Sequence, residues 1–336
     1  MNVRRLIRTT ATAGAVALSL TAVAACSAGP GSGDGKEDGR LKVTASFYPM
    51  QFLAERIGGE HVTVSTLTKP GVEPHDLELK PRQTAQLGEA GYILYLKGLQ
   101  PAVDKAVEQS GVKHRIDAAT LTSTKTTAHN DEGHEGHDHG AEAHGDEAHG
   151  ADEHDGHDHG GESGTDPHIW LDPVKYAEVA QGVGKSLEKA DPQNADAYRK
   201  NTAALVTELK QLDASYERAL RTTDTRTFIT THTSFGHLAE RYGLDQEGIS
   251  GINPDAEPSP ARIKELQTVA EKEKVTTVFF ETLASDRTAK TLASDTGLKT
   301  DVLDPLEGLT GSSEGADYIE VMESNLTALK KALGAK

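Results

Sequence analysis

The chain alternates strand-like and helix-like segments in two separate runs, and between them lies a stretch that cannot build a core. In the first run, strands are predicted at 41–47, 61–67, 92–96 and 115–118, with helices at 49–57, 81–90 and 101–109. In the second, strands are predicted at 227–230, 245–249, 275–280 and 299–303, with helices at 234–242, 260–274, 286–296 and 316–333. Parallel strands need helix-length crossovers, so this alternation predicts an α/β fold with parallel sheets and covering helices. Two helices join the runs, one at 173–190 and a longer one at about 193–221. In the longer helix Tyr198, Leu205, Leu209, Leu212, Tyr216 and Leu220 fall at multiples of three to four residues, which gives it an apolar stripe. At about 1.5 Å per residue it is roughly 40 Å long, enough to cross a small domain. The 336 residues suffice for two domains. The expected architecture is therefore two lobes (41–190 and 223–336), each a mostly parallel sheet with covering helices, joined by one long rigid helix (191–222).

The non-core stretch is 128–163, AHNDEGHEGHDHGAEAHGDEAHGADEHDGHDHGGES. It holds nine histidines (His129, His134, His137, His139, His144, His149, His154, His157 and His159) and twelve carboxylates, with no lysine or arginine. Imidazole suits Zn²⁺, Cu²⁺ and Ni²⁺, and carboxylates add hard oxygen ligands. Irregular spacing offers many interchangeable ligand pairs and no fixed geometry, so the tract is expected to be a disordered loop that binds additional ions weakly. The plainer alternative is a solvated acidic linker. The tract supplies twelve of the chain's seventeen excess negative charges. That balance argues against nucleic-acid binding, which needs a basic footprint, and leaves a cation as partner.

Residues 1–25 form a targeting signal: Arg4, Arg5 and Arg8 precede a small apolar run at 11–25. That run is short of the roughly 20 residues that span a bilayer. Cys26, the single cysteine, follows Val23-Ala24-Ala25, as in a bacterial lipoprotein signal, where the cysteine is lipidated and becomes the mature N-terminus. Cleavage after Ala24 to leave a secreted or periplasmic protein is the alternative. Residues 26–40 are Gly-rich and expected to be a flexible tether. With no other cysteine, disulfides and thiolate metal ligands are excluded from the mature body.

Six histidines lie outside the tract: His61, His75, His114, His168, His232 and His237. His75 follows the second strand, His168 precedes the helical pair and His232 follows the strand at 227–230. Ligands of open α/β sheets bind outside the carboxyl ends of strands. Proline immediately before both His75 and His168 restricts the backbone there. His61 and His114 read as solvated loop residues. His237, five residues beyond His232 on a helix, is expected to face elsewhere.

Five segments in order, GVEPHDLELKP, DPHIWLDP, FITTHTSFGHLAERYGL, VFFETLASDRTAKTLASDTGL and LDPLEGL, resemble the metal-binding components of bacterial ATP-binding-cassette importers for zinc and manganese, the cluster A-I family. The resemblance runs from about residue 41 to the C-terminus. It implies metal binding in the cleft between the lobes by His75, His168 and His232, with a fourth ligand from the second lobe. The family's carboxylate position falls on Glu307; Asp304, Glu281 and water are the alternatives. Glu281 reads as structural, paired with a base such as Arg287, and Asp304 as a loop or capping residue. Histidine at position 232 is the zinc-type choice, whereas manganese-type members commonly carry glutamate there. Three imidazoles and a carboxylate suit tetrahedral Zn²⁺, whereas Mn²⁺ prefers more oxygen. The implied function is a monomeric, high-affinity zinc receptor on the outer face of the bacterial cytoplasmic membrane, anchored by lipid on Cys26. It would deliver Zn²⁺ to an ABC permease, a transmembrane subunit with a cytoplasmic ATPase. A manganese receptor and an extracellular metal store or adhesin are the alternatives. No HExxH motif occurs, and the chain is not expected to be an enzyme.

Overall fold

The computed structural model describes residues 35–123 and 166–336. The expected signal segment, Cys26 and the nine-histidine tract lie outside the described residues.

The first lobe runs β1 (Lys36–Glu37), β2 (Arg40–Ala45), α1 (Tyr48–Gly58), β3 (Val62–Thr66), α2 (Pro81–Gly88), β4 (Tyr92–Tyr95), α3 (Pro101–Gln109) and β5 (Arg115–Asp117). Strands β3, β2, β4 and β5 lie side by side and parallel, with Val43 opposite Val64 on one side and Tyr92 on the other. β1 folds back antiparallel onto the start of β2. Residues 35–40 are thus part of the sheet and not tether, which corrects the expected boundary. Gly35 accepts from Lys42 N at 2.8 Å, and Lys36 Nζ reaches the buried Asp191 at 2.9 Å. A polar, Gly-rich stretch carries no strand periodicity, so this hairpin is invisible to pattern reading.

Asp172 caps α4 (Pro173–Ala190), its Oδ1 accepting from Val174 N at 2.8 Å, and α5 (Ala195–Leu220) follows. α4 and α5 pack closely: a Cβ on Gly184 would sit 2.2 Å from Thr202 Oγ1. The second lobe runs β6 (Thr227–Thr230), α6 (Gly236–Tyr242), β7 (Asp245–Gly248), α7 (Pro260–Lys272), β8 (Thr277–Phe280), α8 (Arg287–Thr296), β9 (Lys299–Val302) and α9 (Tyr318–Leu333). Its sheet is all parallel in the order β7-β6-β8-β9. In both lobes the chain leaves a central strand to one side and then crosses to the other. This creates a switch point whose carboxyl end is the natural place for a ligand.

α5 touches both lobes. Near its start Asn201 Nδ2 donates to Ile57 O of α1 at 3.0 Å, and Arg56 pairs with Glu208 at 2.7 Å. Near its end the buried Tyr216 hydroxyl donates to Met322 O of α9 at 2.6 Å. The six stripe residues named above are all buried. One apolar core runs from Leu41 and Phe47 through α4 and α5 to Tyr318 and Leu333, so the lobes share their interior. Smaller cores lie behind each sheet, around Ile93 in the first lobe and Val278 in the second. Among the described residues no helix is long and apolar enough to cross a membrane.

Candidate metal centre

Four side chains that are far apart in sequence meet between the lobes: His75 from the loop after β3, His168 from the turn before α4, His232 from the loop after β6 and Glu307 from the loop after β9. Each is buried, with His75 the most accessible at 9%. The Nε2 atoms of His75, His168 and His232 each lie 3.2 Å from the same oxygen, Glu307 Oε1. The ring centroids are 5.4, 5.4 and 5.9 Å apart. A tetrahedral ion with bonds of about 2.0–2.1 Å has ligand–ligand edges of about 3.3–3.4 Å. The three nitrogen-to-oxygen edges match those of such a tetrahedron.

Two outer carboxylates fix which way the imidazoles face. Asp166 Oδ1 lies 2.7 Å from His168 Nδ1 and accepts from His168 N at 2.9 Å. Glu281 Oε1 lies 2.7 Å from His232 Nδ1, accepts from His232 N at 3.2 Å, and also holds the Thr231 hydroxyl. A carboxylate on Nδ1 keeps the proton there and leaves the Nε2 lone pair pointing inward, which also makes the ring a better ligand. His232 Nε2 accordingly has no hydrogen-bond geometry to any neighbour, although it is buried and 3.2 Å from Glu307. Glu281 thus serves His232 and does not pair with Arg287, which corrects the sequence expectation. Glu73 receives the main-chain N–H groups of His75 (3.0 Å) and Asp76 (3.3 Å), shaping the His75 loop.

The Glu307 loop is held at several points. Asp304 Oδ1 accepts from Leu306 N at 2.8 Å, and its other oxygen takes the hydroxyls of Ser313 (2.8 Å) and Thr282 (3.1 Å). Asn325 grips the Asp304 main chain from α9, at 2.9 Å to its N and 2.7 Å to its O. Leu306 adopts φ 59° despite being leucine. A left-handed non-glycine residue costs roughly 1–2 kcal/mol and persists only where its surroundings over-determine it. Here the Asp304 turn on one side and the buried Leu306 side chain on the other do so, and Glu307 is aimed into the cleft. Trp170 closes the arrangement: its indole donates to Pro305 O at 2.7 Å, and it packs 5.1 Å from His168 and 5.0 Å from Phe47.

Four lone-pair groups facing one buried point require positive charge between them, either protons or a metal ion. Burial favours neutral imidazole at His232, but the charges of Glu281 and Glu307 outweigh it and hold the ring's pKa well above the ordinary value. At His168 burial is likewise overcome, mainly by Asp166, and the pKa is raised. Burial would raise the pKa of Glu307, but the three histidines, His232 foremost, hold it well below the usual carboxylate range. Without metal these shifts favour protons on His168 and His232.

His61 and His114 lie outside this group. His237 is not part of it either, yet it is buried and touches Asp166, closer to the centre than expected. Sequence reading missed Asp166, Trp170 and Leu306 as parts of the site. An acid two residues before a loop histidine was the signal for Asp166; Leu306 had none.

Residues 43–332 match the family model for zinc-uptake complex component A, periplasmic (ZnuA). The chain belongs to the ZnuA family. It is 36% identical over 306 residues to the high-affinity zinc uptake system protein ZnuA of Bacillus subtilis, covering 90% of each. It is 34% identical over 301 residues to the zinc-binding lipoprotein AdcA of Streptococcus pneumoniae, covering 88% of this chain and 56% of AdcA. The chain thus spans about half the length of the AdcA relatives it matches. The crystal structure of the Zn(II)-bound ZnuA-like domain of Streptococcus pneumoniae AdcA aligns with a TM-score of 0.69 at 32% identity, covering 88% of this chain and 99% of that one.

Trp170→Phe keeps the ring but leaves the buried Pro305 carbonyl without its donor. Thermal or urea unfolding of the metal-free protein is expected to show a loss of about 1–3 kcal/mol. An unchanged midpoint would mean that this cross-lobe bond contributes nothing.

Proposed function

We propose that this ZnuA-family chain is an extracytoplasmic receptor that captures Zn²⁺ with His75, His168, His232 and Glu307 and delivers it to an ABC-type permease. The observation that carries this reading is the set of three inward imidazoles, each 3.2 Å from one carboxylate oxygen and buried away from water. Three nitrogens and one oxygen at tetrahedral spacing favour Zn²⁺ over Mn²⁺, which takes more oxygen ligands in a larger shell. A small cavity of about 140 Å³ lies beside Glu307, lined by Tyr48, Thr68 and Lys69.

Four protein ligands leave no open position for a metal-bound water, so the site is built for holding and release and not for hydrolysis. The zinc-uptake names of the relatives support a permease partner consisting of a transmembrane subunit and its ATPase. In the same reading residues 1–25 are removed as a signal peptide and lipid on Cys26 tethers a monomer to the outer face of the cytoplasmic membrane. The tract at 128–163 gathers ions weakly. Residues 35–190 and 223–336 act as the two lobes, with α5 as the stiff link between them.

Calorimetric zinc titration tests the assignment. The full chain is expected to show one tight site plus weak ones, and the chain lacking 128–163 to keep the tight site alone. His232→Ala is expected to weaken the tight site by more than about 100-fold, beyond the 10–100-fold typical of losing an outer partner. Unchanged affinity in His232→Ala, or loss of the tight site with the tract, would refute the reading.

Zinc must displace the protons favoured in the metal-free site. Because the pKa values of His168 and His232 are raised, proton competition begins above the ~6.5 of a free imidazole. Zinc affinity is therefore expected to fall as pH drops from above 7, with net proton release on binding. This is measurable by titration in buffers of different ionisation enthalpy. Affinity that stays flat down to pH 6 would contradict it.

A further inference from the structure

His237 is fully buried and lies in the first turn of α6, five residues beyond His232. Its Nε2 is 3.0 Å from the main-chain carbonyl of Asp166, and its Nδ1 is 2.9 Å from Lys175 Nζ in the first turn of α4. These partners fix its tautomer. A carbonyl only accepts, so Nε2 carries the proton; an ammonium only donates, so Nδ1 keeps its lone pair. Burial, the largest influence on this ring, lowers its pKa, in keeping with the neutral form.

The bonds from Asp166 Oδ1 to His168 N and Nδ1 close a turn within residues 166–168. They set the carboxylate against its own histidine but do not tie either to the opposite lobe. On the far side of His168, Trp170 makes that tie: its indole reaches Pro305 O, and its carbonyl accepts from the Tyr318 hydroxyl at 2.6 Å. On the near side the tie is His237, which the second lobe supplies from the same connection that carries His232. Lys175 also donates to Ser123 O at 2.9 Å, so the lysine that fixes the His237 tautomer is itself held.

We propose that His237 is a positioning residue for metal capture: its Nε2–H holds the Asp166 main chain against the second lobe, setting the His168 ring opposite His232 and Glu307 before the ion arrives. This rests on the zinc-receptor reading. His168 is bracketed, with Asp166 fixed by His237 and Trp170 fixed by Pro305 and Tyr318. Three of the four ligands are then docked to one lobe before the ion arrives, and His75, the most accessible of them, comes from the other. An ion binding a pre-set site does not have to order His168 at the moment of capture.

The test uses the full chain with His237→Leu, His237→Asn and His237→Gln. Zinc affinity is measured by competition with a chromophoric chelator, coordination by the visible bands of bound Co²⁺, and folding by metal-free melting. Leu removes both bonds, and Asn stays polar but falls short of the carbonyl. Both are expected to weaken zinc binding by about 10–100-fold and to alter the Co²⁺ bands. Gln can place an amide N–H near the Nε2 position, within reach of the Asp166 carbonyl, and is expected to recover most of the affinity and the wild-type spectrum. Asn carries the test if the Leu variant does not fold. Wild-type affinity in the Leu or Asn variant would overturn the proposal. So would equal losses in all three variants with wild-type Co²⁺ bands, which would mark a purely structural residue. A wild-type chain that lacks a tight zinc site would overturn the receptor reading itself, a result independent of any His237 variant.

Discussion

Four lone-pair groups aimed at one buried point are unstable unless something positive sits among them. Burying polar groups without partners costs several kcal/mol, and a carboxylate facing three imidazole lone pairs is worse than unpartnered. The outer carboxylates sharpen the demand, because Asp166 and Glu281 each hold an Nδ1 proton and so turn the Nε2 atoms inward. Without metal, the raised pKa values of His168 and His232 favour protons in that place. In the proposed function Zn²⁺ replaces them. Metal affinity and proton competition are thus two consequences of one arrangement.

Such a cluster can be held only by a scaffold that does not yield. Each lobe brings the carboxyl ends of its parallel strands to the cleft, and the shared core around α4 and α5 fixes one lobe against the other. Cross-lobe bonds from Trp170 and His237 then fix the turn that carries His168. The strained Leu306 shows the same logic at smaller scale: local cost is accepted where surrounding contacts over-determine the Glu307 loop. A clamp of this kind favours small loop adjustments over wide hinge opening.

Much of this was legible in the sequence. The alternation of patterns placed every strand of both sheets except β1, with boundaries shifted by at most a few residues, because strand and helix periods differ clearly where one face is buried. Loop positions drew attention to His75 and His232 after strands and to His168 before the helical pair, and the family resemblance made them ligands. Glu307 came from a family resemblance, since nothing in local pattern separates it from Asp304 or Glu281. What stayed hidden depends on contacts across the fold. The β1 hairpin lies in a polar, Gly-rich stretch, Glu281 finds His232 and not Arg287, and His237 turns inward because Asp166 and Lys175 wait there. Leu306 was unreadable because leucine gives no warning of a left-handed backbone.

The most direct test is a crystal of the zinc-loaded chain, with anomalous scattering recorded above and below the zinc edge. The expected result is one strong zinc peak about 2.0–2.2 Å from the Nε2 atoms of His75, His168 and His232 and from Glu307 Oε1, with no water in the inner shell. A zinc peak elsewhere, or one bound at this point without one of these four side chains, would contradict the account.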